Sequence, residues 1–81
     1  MSVIEHPINK YIVEVAEYMK ENPKIRYGQA LFNVLFSTYP NLANEILGTY
    51  NDPYYASTKY DQKITNFWNW LTVQNPFTLE K

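Results

Sequence analysis

From Tyr27 through Asn44 the chain carries no Asp, Glu, Lys or Arg. The apolar residues of this stretch do not keep to one side. At helical spacing Leu31, Val34 and Leu35 fall on one face, and Phe32, Phe36 and Tyr39 on another. A helix that is apolar most of the way round has to be surrounded by protein. The chain has 81 residues, enough for one domain and too few for two. The expectation is therefore an all-α fold: a small single-domain bundle of three to four helices around a buried central helix, about 26–39. Leu31, Val34, Leu35 and Phe36 are its expected core residues. Of the chain, 17% is aromatic, and large rings supply the burial per residue that a domain of this size needs.

The flanking segments supply helices to cover that core. Pro7 suits a first helical position. Ile8, Tyr11, Ile12, Val15 and Met19 then repeat as one apolar stripe, which predicts helix 1 from about Pro7 to about Glu21. Asn22-Pro23 ends it, because the residue before proline is pushed out of the α region. Helix 2 starts near Arg26. Gly28, early in that helix, costs about 1 kcal/mol relative to alanine. The expected return is close approach of another backbone, with helix 1 as the natural partner. Tyr39-Pro40 stops helix 2, and a short helix 3 over about Asn41 to Leu47 is closed by Gly48. Leu42, Ile46 and Leu47 are expected to face inward. Gly48 to Ser57 reads as an ordered loop, since Asn51-Asp52-Pro53 is turn chemistry and Tyr50, Tyr54 and Tyr55 are too aromatic for a disordered linker, so all three are expected packed against the helices. Thr58 and Asp61 have capping-box spacing, which predicts helix 4 from near Thr58 with Tyr60, Ile64, Phe67, Trp68 and Leu71 as its stripe. Asn75-Pro76 ends it, leaving about 76–81 as a tail.

Composition removes several classes of function. Seven basic and eight acidic residues give a net charge of -1. That is no footprint for nucleic acid, which calls for clustered Lys and Arg. There is no cysteine, so disulfides and thiolate chemistry are excluded, in keeping with a cytoplasmic protein. The first residues lack a basic segment followed by an apolar run, so no signal peptide is expected. Polar residues and Pro40 interrupt the uncharged stretch, so no membrane span is expected either. His6, the one histidine, reads as a cap or a solvent-exposed residue. Asp52 and Asp61 read as a turn and a cap rather than an acid/base pair. No catalytic residue, metal site or cofactor is expected. Arg26, the one arginine, reads as the partner of Asp52 in an ion pair tying the loop to helix 2. The alternative is a contact to an external carboxylate or phosphate. Gln29, Asn33 and Asn44 sit among apolar residues, either bonding the loop or marking where helix 2 meets something else.

The expected function rests on aromatics. From Ile64 to Leu79 there is again no charged residue. Trp70 lies roughly 100° from Leu71 and 200° from Trp68 around the helix, off the apolar stripe. Aromatic, charge-depleted patches are the mark of protein interfaces. A surface of Trp70 with Asn66, Asn69, Val73 and Phe77, together with Tyr54 and Tyr55, would meet another protein or a second copy as a homodimer. The alternative is a DNA-associated regulator using helices 2 and 3 as a helix-turn-helix-like pair. Its reading helix would offer Asn41, Asn44 and Glu45 and no cation.

Ordered along the chain stand Asn22-Pro23-x-x-Arg26-x-Gly28-Gln29-Ala30-Leu31-Phe32-Asn33, Pro40-x-Leu42-Ala43, Ile46-x-Gly48-Thr49, Asp52-Pro53-Tyr54-Tyr55 and Phe67-x-x-Trp70-Leu71. This set resembles a pattern in small accessory proteins of tailed bacteriophages and prophages. The resemblance spans about Asn22 to Leu71. It implies a phage-type product in a bacterial cytoplasm that acts by binding host or defence proteins. It transfers no catalytic residue.

Overall fold

The computed structural model describes residues 6–78. Four helices carry the fold: α1 (Pro7–Glu21), α2 (Tyr27–Thr38), α3 (Pro40–Ile46) and α4 (Gln62–Leu71). The described residues contain no strand. No helix among them is long and apolar enough to cross a membrane.

Local chemistry sets the helix ends. At the start of α1, His6 Nδ1 accepts the Ile8 N–H at 3.1 Å, and Pro7 occupies the first turn. Because Nδ1 accepts, the ring proton sits on Nε2, which donates to the Thr78 carbonyl at 3.0 Å. The cap residue therefore also ties the first helix to the far end of the described chain. Tyr39 closes α2 and opens α3, with Pro40 as the first residue of α3. Gly48 follows with φ +76, the left-handed conformation of a C′ glycine. The expected start of α4 near Thr58 is corrected by three residues. The Thr58 hydroxyl accepts from the Tyr60 N–H at 3.2 Å in a local turn, and the true cap is the Asp61 carboxylate, accepting from the Lys63 N–H at 2.9 Å. Tyr60 thus lies before α4, outside its apolar stripe, and is 85% exposed.

α2 is the central element, packed against both α1 and α3. Ala30, Leu31 and Leu35 are fully buried, with Phe32 and Val34 close to it. Phe36 departs from expectation at 48% exposed. Phe32, one turn earlier, takes the covered position, its ring edge-on to Tyr54 at 5.7 Å. In α1 the buried residues are Tyr11 and Val15, with Ile8, Tyr18 and Met19 packed beside them. Ile12 lies on the flank of that stripe and is exposed, as is Leu47 after α3; of the loop tyrosines expected to pack, Tyr50 and Tyr55 are exposed as well, and Tyr54 alone reaches the core, at Phe32. The Tyr11 hydroxyl donates to the Leu31 carbonyl at 2.6 Å inside the core. Burial first, and the neighbouring Tyr27 second, push that hydroxyl well above the usual tyrosine range. It therefore stays a donor across the working pH range. From α4, Ile64, Phe67 and Leu71 complete the core.

The segment expected as a tail is in part core. Phe77 is fully buried, edge-on to Tyr11 at 5.6 Å and to Tyr39 at 5.0 Å. It gets there by consecutive turns after α4: Gln74 N–H to the Leu71 carbonyl, then Phe77 N–H to the Gln74 carbonyl, with Asn75–Pro76 cis. The rest of the expected tail, 79–81, lies outside the described residues.

Leu35 tests the central position of α2. It is fully buried, so Leu35→Ala should cost about 2–5 kcal/mol. A thermal melt indistinguishable from wild type would show that α2 is not what the bundle packs around.

Candidate protein-interaction surface

The surface best equipped for contact begins at Gly28. Its N–H donates to the Ala56 carbonyl at 3.0 Å. A Cβ built there would stand 1.8 Å from the Pro53 carbonyl oxygen. The close approach expected of this glycine is real, but its partner is the loop between α3 and α4, not helix 1. Pro53 and Ala56 are buried against the start of α2. The loop holds its own shape. Asp52 Oδ2 accepts the Gly48 N–H at 2.8 Å, and Oδ1 accepts the Tyr54 N–H at 2.9 Å.

That docking places Tyr54 and Tyr55 beside Arg26. The guanidinium carbon lies 6.0 Å from the Tyr54 ring centroid and 5.9 Å from that of Tyr55, within cation–π range. The expected Arg26–Asp52 ion pair does not form. Asp52 spends both oxygens on nearby backbone amides, and Arg26 stacks on rings instead, with no carboxylate of the described residues in ion-pair contact. A line of ring contacts runs on from there. Tyr55 meets Tyr54 at 5.1 Å, Tyr54 meets Phe32 at 5.7 Å, and Phe32 meets Phe36 at 6.1 Å. The line passes through the core at Phe32 and surfaces at Phe36 and at Tyr55, the latter 73% exposed. Gln29 steadies it by donating to the Tyr54 hydroxyl at 2.9 Å. Gln29 and Phe36, seven residues apart along α2, share this face, and Arg26 stands at its start as the N-cap.

The second half of α4 is less open than the sequence suggests. Asn66, Asn69 and Trp70 share a face of α4, at i, i+3 and i+4, but α4 ends at Leu71, short of the expected stop at Asn75-Pro76, so Val73 lies past it in a turn. Asn69 and Val73 are exposed, whereas Asn66 is half-buried and accepts from Gln62 at 3.1 Å. Trp70 is half-buried, its ring tilted against Phe67 at 6.2 Å. Trp68 is half-buried too, edge-on to Tyr11 at 6.0 Å. Phe77 is removed from the surface altogether, for it fills the space between Tyr11 and Tyr39.

The amide residues resolve separately. Gln29 bonds the loop tyrosine, and Asn33 donates to the Tyr18 hydroxyl at 3.1 Å, joining α2 to α1. Asn44 is exposed on α3 beside Asn41 and Glu45. Sequence reasoning missed Phe36 and Arg26 as members of one face. The available signal was, for Phe36, its seven-residue spacing from Gln29, which an expectation of burial masked, and, for Arg26, its place at the start of α2, which an expectation of an ion pair masked. Comparison with protein-family models, with curated proteins and with solved structures finds no match to this chain.

Proposed function

We propose that this chain is a non-enzymatic, phage-type accessory protein that binds another protein through the aromatic, charge-poor face formed by α2 and the loop before α4. The observation that supports the reading is the line of rings from Tyr55 through Tyr54 and Phe32 to Phe36, exposed at both ends and anchored in the core between them. Rings held in place by core packing lose little freedom when a partner covers them, which is what makes Tyr and Trp effective interface anchors. The resemblance to small phage and prophage products favours a host or defence protein as partner, with a second copy of the chain as the other possibility. The DNA-associated alternative is less well supported. The exposed residues of α3 are neutral or acidic, and the net charge of -1 gives no counterion-release advantage.

The test is Tyr55→Ala beside Trp70→Ala. Tyr55 is exposed, so its truncation should leave stability within about 0.5 kcal/mol. Partner capture or self-association should weaken by at least about 2 kcal/mol, the usual threshold for an interface anchor. Trp70→Ala should instead lower the melting temperature, since its ring packs on Phe67. Sedimentation and pull-down on both variants decide the matter. Full association by the Tyr55 variant, together with a stable but non-binding Trp70 variant, would return the surface to α4.

A further inference from the structure

We infer that the face at the start of α2 is built to receive an acidic peptide segment of a partner, with a partner carboxylate seated on the Arg26 guanidinium and a neighbouring apolar side chain against Tyr55. The inference rests on the protein-binding reading above and names the chemistry of its partner.

Four observations carry it. Arg26 is exposed and is the one arginine of the chain. Its guanidinium stands beside two rings, at 6.0 and 5.9 Å, and no carboxylate of the described residues claims it. Asp52, in the same loop as the two tyrosines, is engaged by the Gly48 and Tyr54 amides at 2.8 and 2.9 Å. No other charge occurs from Tyr27 through Asn44, so an incoming carboxylate meets neither a competitor nor repulsion along the α2 side of this face. A guanidinium held over ring faces at cation–π range keeps its planar fork of donors free. That fork matches the two oxygens of a carboxylate, and holding it in advance reduces the freedom lost on binding. Apolar flanks exclude water from the pair and strengthen it, as they do around interface anchors. Lysine can sit over a ring, as Lys59 does over Tyr60 at 5.7 Å, but it cannot present the fork.

The experiment is to pan a random peptide display library on the immobilised full-length chain, then measure the enriched peptides in solution against wild type, Arg26→Gln, Arg26→Lys and Tyr55→Ala. The enriched sequences should share Asp or Glu beside an aromatic or aliphatic residue. Their affinity should fall at least tenfold on Arg26→Gln, by a comparable factor on Arg26→Lys, and likewise when the peptide acid is changed to its amide. The amide peptide probes the carboxylate on unaltered protein, so the test survives any loss of fold in the variants. Peptides that bind Arg26→Gln as well as wild type yet lose Tyr55→Ala would overturn the carboxylate inference and leave the protein-binding face standing. A library yielding no peptide sensitive to either residue would overturn both. Salt-sensitive binding of a single-stranded oligonucleotide that depends on Arg26, without acidic peptides being enriched, would overturn the inference in favour of nucleic acid.

Discussion

Gly28→Ala should destabilise the domain by at least about 3 kcal/mol, although alanine is the better helix former. The built Cβ stands 1.8 Å from the Pro53 carbonyl oxygen, where ordinary contact begins at 3.4 Å, and 2.9 Å from that of Ala56. Both neighbours are backbone, so no side chain can rotate away and the loop itself has to move. Forced backbone shifts cost about 1–3 kcal/mol, occasionally more, and here the overlap is deep. The same movement stretches the Gly28 N–H to Ala56 bond, and a buried amide left without a partner adds about 1–3 kcal/mol. The gain in helix propensity returns only about 1 kcal/mol. A domain of 81 residues has about 4–12 kcal/mol of stability in total, so the variant should be marginal. Its melting temperature should fall by more than about 12 °C. Trypsin should cut at Lys59, beside the displaced loop, well below the melt. Gly48 provides the contrast. A Cβ there meets nothing within 4 Å, but φ is +76, so Gly48→Ala should cost only the left-handed penalty of about 1–2 kcal/mol. Equal or higher stability of the Gly28 variant would show that the loop does not rest on α2 as described.

The contrast marks how far the sequence could be read. That α2 is central, that Pro7 and Glu21 bound α1, and that Gly48 closes α3 all follow from signals within a few residues of the feature itself. Periodicity, proline and glycine report on local backbone, and each was legible. What covers a face is a different matter. Gly28 signalled a close backbone, yet the segment that arrives there is separated from it by two helices' worth of chain. Phe32 and Phe36 are equivalent by periodicity, and only the position of Tyr54 decides which is covered. The Arg26–Asp52 ion pair is what the scarcity of other charges implies. It fails because backbone amides two and four residues from Asp52 reach its oxygens first. Thr58 and Asp61 are both competent caps, and their spacing alone cannot rank them. In the candidate surface Tyr54 and Tyr55 were legible as ordered loop aromatics. The roles of Arg26 and Phe36 depend on tertiary contacts that the sequence does not encode locally.

Phe77→Ala should be as damaging as truncation of a residue in α2, at about 3–5 kcal/mol. In sequence this residue follows a helix-stopping Asn75-Pro76 near the end of the chain, a position that invites reading it as a free surface ring. The structure instead holds it fully buried, edge-on to Tyr11 and Tyr39 at 5.6 and 5.0 Å. Tyr11 is also the residue that bonds the Leu31 carbonyl and meets Phe67 and Trp68. Phe77 is therefore one contact away from α1, α2 and α4 at once, and its loss leaves a cavity that none of them can close alone. Aromatic pairs in this geometry contribute about 0.5–1.5 kcal/mol each beyond area burial, which places the expected loss in the upper part of the range. Phe77→Leu keeps an apolar group in the space and should cost less than Phe77→Ala, the loss of both ring pairs accounting for about 1–3 kcal/mol. Urea melts of the two variants should show shifted midpoints with an unchanged slope, because the same surface is exposed on unfolding. A surface ring would behave in the opposite way. Phe77→Ala would then melt like wild type and lose partner capture, and that result would put this residue back on the interface and empty the space between Tyr11 and Tyr39.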